Sequence, residues 1–169
     1  MMIDWKIEPQ VGVGPLKFGM SPAEVATILG LAERTLKIAD KFIGMPELKK
    51  KFKDDTSEYR MFGDVKTMKP TISYRSNKMN YISFEKSHDT LSIFGMNLFK
   101  TTRSKVIERL TTESKSVLIT DNEYTLYFMD LGISMANIKP SRIEPQISVW
   151  IKHIYSDLYT NSDYLVIKS

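Results

Sequence analysis

Two histidines, His88 and His153, are the chain's whole supply of imidazole, and it has no cysteine. A metal centre needs three or four convergent ligands at recognisable spacing, and none surrounds either histidine. The lack of cysteine excludes a thiolate zinc site and a disulfide scaffold, and it fits a reducing compartment. His88 precedes Asp89 in a turn-like context, and His153 falls on the strand side that carries Val149 and Ile151. A turn histidine and a satisfied sheet histidine account for both. Acid–base chemistry would need Glu85 beside His88 or Asp130 beside His153, pairs that only the fold can assemble. There is no Gly-x-Ser-x-Gly elbow, and Gly12-Val13-Gly14 runs into Pro15 without the Lys-Ser/Thr of a phosphate loop. No catalytic, cofactor-binding or metal-ligating residue is assigned, and the expectation is a protein that is not an enzyme.

Binding chemistry is better represented. The net charge is +4, and the segment 37–53, with six lysines against Asp40 and Glu47, holds an excess equal to that whole charge. Lys49, Lys50 and Lys51 are consecutive within it. A basic island on an otherwise neutral body suits a phosphate or an acidic protein surface, and a solvated helix face is its plain alternative. Eight tyrosines and two tryptophans add aromatic surface, some of it beside basic residues, as in Tyr74-Arg75 and Trp150-Ile151-Lys152. Tyr74, Tyr81, Tyr127 and Trp150 are the candidate partner-binding aromatics. Core packing is the alternative for Trp150, since sheet cores use the same residue types as interfaces.

These residues must be positioned by a folded body, which 169 residues with 42% hydrophobic content can supply as one ordinary domain. The stretch 12–30 is the most strongly patterned. Ser21 and Glu24 form a capping box, Pro22 suits the first helical position, Val25, Ile28 and Leu29 make an apolar stripe, and Gly30 ends the helix. Gly19 marks a turn needing positive φ or close approach. Ile3, Trp5 and Ile7 alternate as in a half-buried strand ahead of a loop over 8–14. A short helix from Pro46 carries the lysines. Residues 71–75 and 81–86 form a hairpin around Ser76-Asn77-Lys78. Phe94-Gly95-Met96 repeats Phe18-Gly19-Met20, and a second helix capped by Thr102 follows, with Val106 and Leu110 on one side. Strands are expected over 117–120, 124–129, 133–138 and 146–155, with 164–168 as an edge strand.

The order predicts an α+β fold of two tandem modules, each a short helix followed by antiparallel strands, with helices on one face of the sheet. The pseudo-repeats would cover about 12–93 and 94–155 of one compact domain spanning 1–169. A single domain without internal symmetry is the alternative. With no apolar run long enough to span a bilayer and no export signal, the expectation is a cytoplasmic protein with no membrane contact.

Phe18 to Val25, closed by Ile28-Leu29-Gly30, resembles the helix motif of the small lipoproteins of the outer-membrane barrel-assembly machine and of the β-lactamase inhibitory protein, whose fold duplicates such a module. The run from Phe94 through Val106 and Leu110 to Phe128-Met129-Asp130-Leu131-Gly132-Ile133-Ser134 is similar to stretches of small immunity proteins encoded beside bacterial polymorphic and contact-dependent toxins. The chain has neither the lipobox cysteine nor the export signal of the lipoproteins. The resemblance implies a non-catalytic immunity protein that needs no cofactor and caps a cognate toxin domain, with Lys49, Lys50 and Lys51 steering an acidic partner. A nucleic-acid-binding module using the lysines and sheet tyrosines is the rival, and it predicts retention that falls steeply with salt.

Overall fold

A computed structural model describes residues 3–60, 70–85, 90–120, 124–138 and 145–151, and the backbone of 164–168. Among the described residues the protein is mixed α/β, with mainly antiparallel sheets and three α-helices. The chain opens with a three-stranded sheet of two-residue strands, β1 (Ile7–Glu8), β2 (Gly12–Val13) and β3 (Leu16–Lys17). Ile3, Trp5 and Ile7 do alternate inward, but only Ile7 enters a strand, and the expected loop 8–14 belongs largely to this miniature sheet. Trp5 lies edge-on to Phe84, with ring centroids 5.4 Å apart, and ties the opening segment to the main core.

Helix α1 (Pro22–Leu29) begins as its sequence requires. The Glu24 amide donates to the Ser21 hydroxyl, and the Ser21 amide donates to the Glu24 carboxylate, which closes the capping box. The Ser21 amide and the Ser21 hydroxyl, both donating to the Glu24 carboxylate, hold it below its ordinary range. Gly19 adopts φ 93° with open space where a Cβ would project, so it serves by conformation and not by close approach. The Gly19 amide donates to the carbonyl of Met79, and the Met79 amide to that of Met20, which pins the helix entrance to the main sheet.

After α1 come β4 (Arg34–Lys37), a 3-10 turn at Ile38–Lys41, α2 (Pro46–Lys51), β5 (Asp55–Tyr59), β6 (Thr71–Arg75) and β7 (Lys78–Phe84). The second half has a two-residue hairpin, β8 (Ser92–Ile93) and β9 (Met96–Asn97), then α3 (Arg103–Glu113). Strands β10 (Val117–Thr120), β11 (Thr125–Phe128), β12 (Ile133–Ala136), β13 (Gln146–Trp150) and β14 (Tyr164–Lys168) follow. Thr102 occupies the N-cap of α3, but its hydroxyl makes no capping hydrogen bond. The expected hairpin is β6–β7, with Ser76 and Asn77 at φ 49° and 59°, the signature of a tight two-residue turn.

The main sheet has nine strands in the order β14-β10-β11-β12-β13-β7-β6-β5-β4. It consists of two meanders, β4 to β7 and β10 to β13, joined through their last strands, with β14 added at one edge as the sequence suggested. Phe18-Gly19-Met20 and Phe94-Gly95-Met96 do not hold equivalent places. The first links β3 to α1, whereas the second supplies the turn of β8–β9, with Phe94 and Gly95 at φ 51° and 74°.

Side chains on one face of the sheet, among them Ile72, Ile82, Phe84, Phe128, Ile133, Met135, Ile147 and Val149, join Val25 and Leu29 of α1 and Val106 and Leu110 of α3 in one buried cluster. The opposite face carries a second, smaller cluster of Leu118, Met129 and Trp150, with Tyr81 and Tyr127 packed against it.

Gly132 shows how closely β13 packs against the turn ahead of β12. It adopts φ 66°, its carbonyl accepts from the Trp150 amide at 2.8 Å, and an added Cβ would lie 2.2 Å from the Trp150 carbonyl oxygen and 2.6 Å from Nε2 of Gln10. We expect Gly132→Ala to cost about 2–3 kcal/mol, combining left-handed strain with a backbone collision. Urea unfolding against Gly95→Ala, which has positive φ but open space, separates the two contributions.

Candidate functional site

The candidate residues fall into three separate places. Lys49, Lys50 and Lys51 are exposed on α2, which buries no residue. This short helix belongs to the connection between β4 and β5, beyond the edge of the main sheet. Phe42 and Phe52 stack at its base with centroids 5.2 Å apart, and the Arg75 guanidinium lies 5.9 Å from the Phe52 ring. Arg75 is in turn paired with Asp55 at 3.0 Å. At the tip, Ile43 is 91% exposed and Met45 55%. Sequence reasoning passed over these two apolar residues, although their setting, on either side of Gly44 amid lysines, is visible in the sequence.

Tyr74 is not a surface aromatic. It is fully buried, because residues 72 and 74 of β6 face the large cluster. Its hydroxyl donates to Glu58 at 2.7 Å, and the same carboxylate oxygen accepts from Arg60 Nη2 at 2.6 Å. Arg60 Nε donates to the Gly30 carbonyl at 2.8 Å, linking the strand to the end of α1. Burial, reinforced by the Glu58 carboxylate, pushes the Tyr74 phenol far above its ordinary pKa, so it stays a neutral donor. This buried ion pair was not foreseen, since Glu58 and Arg60 look like ordinary strand-end charges in the sequence.

Trp150 is also fully buried and cannot serve as an exposed anchor. It sits on the other face, edge-on to Tyr127 with centroids 6.0 Å apart. Tyr81 and Tyr127 are only partly buried and stay within reach of a partner. Around them runs a serine row. Ser83 lies opposite Ser148, and Ser148 opposite Ser134, which lies opposite Tyr127. Tyr81 and Ser148 share a hydrogen bond of 2.7 Å, and Gln146 Nε2 donates to Ser83 at 2.9 Å. The structure therefore brings Tyr81, Tyr127 and Trp150 together and leaves Tyr74 on the opposite face. At about 4.8 Å per strand, Tyr81 stands about 14 Å and Tyr127 about 29 Å from the strand that bears the lysine connection.

Among the pairs weighed for acid–base work, His88 and His153 lie outside the described residues. Asp130 is occupied in a structural role. It accepts from the Ser114 hydroxyl and from the amides of Lys115 and Ser116, fastening the exit of α3 to the end of β11. Burial on its own would raise this carboxyl, but the donors outweigh it and the pKa falls below the usual value. No group of three or more metal-ligating side chains occurs among the described residues. Two recesses border β4 and β5: one of about 310 Å³ lined by Glu33, Arg34, Leu36 and Tyr59, and one of about 400 Å³ that includes Lys37 and Lys53. No helix among the described residues is long and apolar enough to cross a membrane.

No family model, curated protein or solved structure matches the chain.

The two polar networks make different predictions. Removing one partner of the buried pair, as in Glu58→Gln, should destabilise by about 3 kcal/mol, because the Arg60 charge remains buried. The double variant Glu58→Leu/Arg60→Met should recover most of that loss, as read by urea unfolding. Asp130 has a lowered folded pKa, so its stabilisation is complete above the unfolded value and lost as pH falls through the folded one. The stability gap between wild type and Asp130→Asn should thus be about 1 kcal/mol near neutrality and close below about pH 4. A gap that is constant with pH would contradict this assignment.

Proposed function

We propose that the protein is a non-catalytic immunity protein that binds and neutralises a cognate bacterial toxin domain in the cytoplasm. We propose further that it is built from two copies of a module comprising a hairpin, a helix and a four-stranded meander, with both helices covering one face of the sheet. Supporting the duplication is the common order of elements at a nearly constant offset. The hairpin residues 12–17 correspond to 92–97, with the Phe18 amide donating to the Val11 carbonyl and the Leu98 amide to the Leu91 carbonyl, each at 2.9 Å. Val25 and Leu29 then correspond to Val106 and Leu110.

The observation that carries the binding reading is the partial exposure of Tyr81 and Tyr127 on the second sheet face. They lie over buried serines, Ser83, Ser134 and Ser148, and Tyr81, Ser83 and Ser148 hydrogen-bond within the face. Tyrosine provides large contact area at low entropic cost, which binding loops exploit. A standard interface covers about 800 Å² per partner, a patch about 30 Å across. A partner of that size reaches from Tyr127 toward the lysine connection, so aromatic contact and basic steering act on the same complex.

The test is to co-express the chain with the C-terminal domain of the protein encoded directly upstream. Complex formation and rescue of growth are expected, and Tyr127→Ala should weaken binding by about tenfold or more. Neither complex nor rescue would sink the proposal. Retention on DNA or RNA at physiological salt would favour a nucleic-acid-binding module instead.

A further inference from the structure

The connection between β4 and β5 is longer than the fold requires. Neighbouring antiparallel strands close with two to five residues, and the corresponding step of the second meander, β10 to β11, has only residues 121–124 between its strands. Between β4 and β5 the chain inserts residues 38–54. The insert is a formed structure, because the Phe42–Phe52 stack under Arg75 fixes its base and Ala39 is buried. Its outer part exposes Ile43 and Met45 almost side by side, with Leu48 37% exposed on α2. A Cβ on Gly44, between the first two, would meet nothing within 4 Å. Lys41, Lys49, Lys50, Lys51 and Lys53 of the insert are all exposed, with Lys51 lying 5.8 Å from the Phe52 ring at its base. Successive residues of a helix turn by about 100°, so Lys49, Lys50 and Lys51 distribute charge around α2 and do not form a single stripe.

We propose that this prong docks the protein on an anionic lipid bilayer, with Ile43, Met45 and Leu48 entering the interfacial layer and the lysines pairing with acidic headgroups. The insert 38–54 is basic in its own right, with five lysines against Asp40, Glu47 and Asp54, an excess of two positive charges that complements acidic headgroups. Composition favours lipid over a protein partner. Protein interfaces are depleted in lysine and enriched in arginine and aromatic residues, whereas here the positive charges are all lysine and the exposed apolar groups are aliphatic. Lysines beside a bilayer keep their ammonium groups at headgroup level while their methylene stems cover apolar surface. This docking shares the lysines with the steering role proposed for toxin binding, and Ile43 and Met45, which take no part in that steering, tell the two apart.

The experiment uses the full chain with sucrose-loaded vesicles of three parts phosphatidylcholine to one part phosphatidylglycerol, and of phosphatidylcholine alone, at about 0.15 M salt. Sedimentation with the anionic vesicles and not with the neutral ones is expected. The variants Ile43→Asp/Met45→Asp and Lys49→Glu/Lys50→Glu/Lys51→Glu should each lower the partition coefficient by roughly tenfold or more. Val11→Asp, a control at an apolar residue that is 49% exposed on a distant turn, should leave it unchanged. Circular dichroism of each variant establishes that it is folded. No binding to anionic vesicles would overturn the proposal. So would binding that the Ile43/Met45 variant leaves intact, or equal retention of that variant and wild type on soluble polyglutamate, which would reduce the prong to a steering charge for an acidic protein. Because the assay contains no toxin, its failure is distinct from failure of the immunity reading.

Discussion

The pairing of β7 with β13 is the constraint on which the rest of the structure depends. It joins residues more than sixty positions apart, Phe84 with Ile147 and Tyr81 with Trp150, and turns two meanders into one continuous sheet. Without it, each half would present an exposed edge strand and half a core. Its register is strongly specified because the two faces have different chemistry. Ile82, Phe84, Ile147 and Val149 point into the large apolar cluster, and Tyr81, Ser83, Ser148 and Trp150 point the other way. A slip of one residue would place serines in the core and isoleucines in the hydroxyl network. Long-range ladders of this kind are entropically expensive to initiate, so their specification must be unambiguous once the strands meet.

That arrangement also explains which aromatics remain available for binding. Tyr74 and Trp150 are both fully buried, but for different reasons. Tyr74 shares a face with Ile72 and caps a buried carboxylate, so its hydroxyl is consumed in satisfying Glu58. Trp150 belongs to the second face, where Leu118, Met129 and Tyr127 pack around it. Its role is to support Tyr127, whose ring meets it edge-on. An aromatic held by another aromatic loses little further freedom when a partner arrives, so buried Trp150 still contributes to the proposed surface by holding Tyr127 in place.

The sequence was informative where structure is determined locally. Ser21, Pro22, Glu24 and Gly30 specify the start and stop of α1 through contacts within a few residues, and Ser76-Asn77 specifies its hairpin in the same way. Gly30 ends the helix at φ 84°, although ψ 173° places it outside the left-handed helical region. The miniature strands β1 to β3 were hidden because two-residue pairing leaves no periodicity to read. The repeated tripeptide lies 76 residues apart in its two copies, whereas the two-residue hairpins β2–β3 and β8–β9 lie 80 apart. Aligning the tripeptides implies a five-residue insertion before Thr102, but aligning the hairpins leaves only one residue between the two helix starts. Burial of Tyr74 and Trp150 could not be read either. When both faces of a strand are apolar, alternation reveals the period and not which side meets water.

The two halves differ most where the core has least influence. Packing constrains Val25 and Val106, or Leu29 and Leu110, to the same role, because each fills the common cluster. A surface connection carries no such obligation, so length and charge accumulate there at little cost to stability. The segment between β4 and β5 is the clearest instance. Its aromatic base is tied to β6 through Arg75, while its outer residues contact little of the body. Exposing Ile43 gives little benefit to folding, since almost all of it stays in water, and Met45 is only partly covered. Their exposure beside so many lysines is physically consistent with a surface that covers them only after the protein has folded.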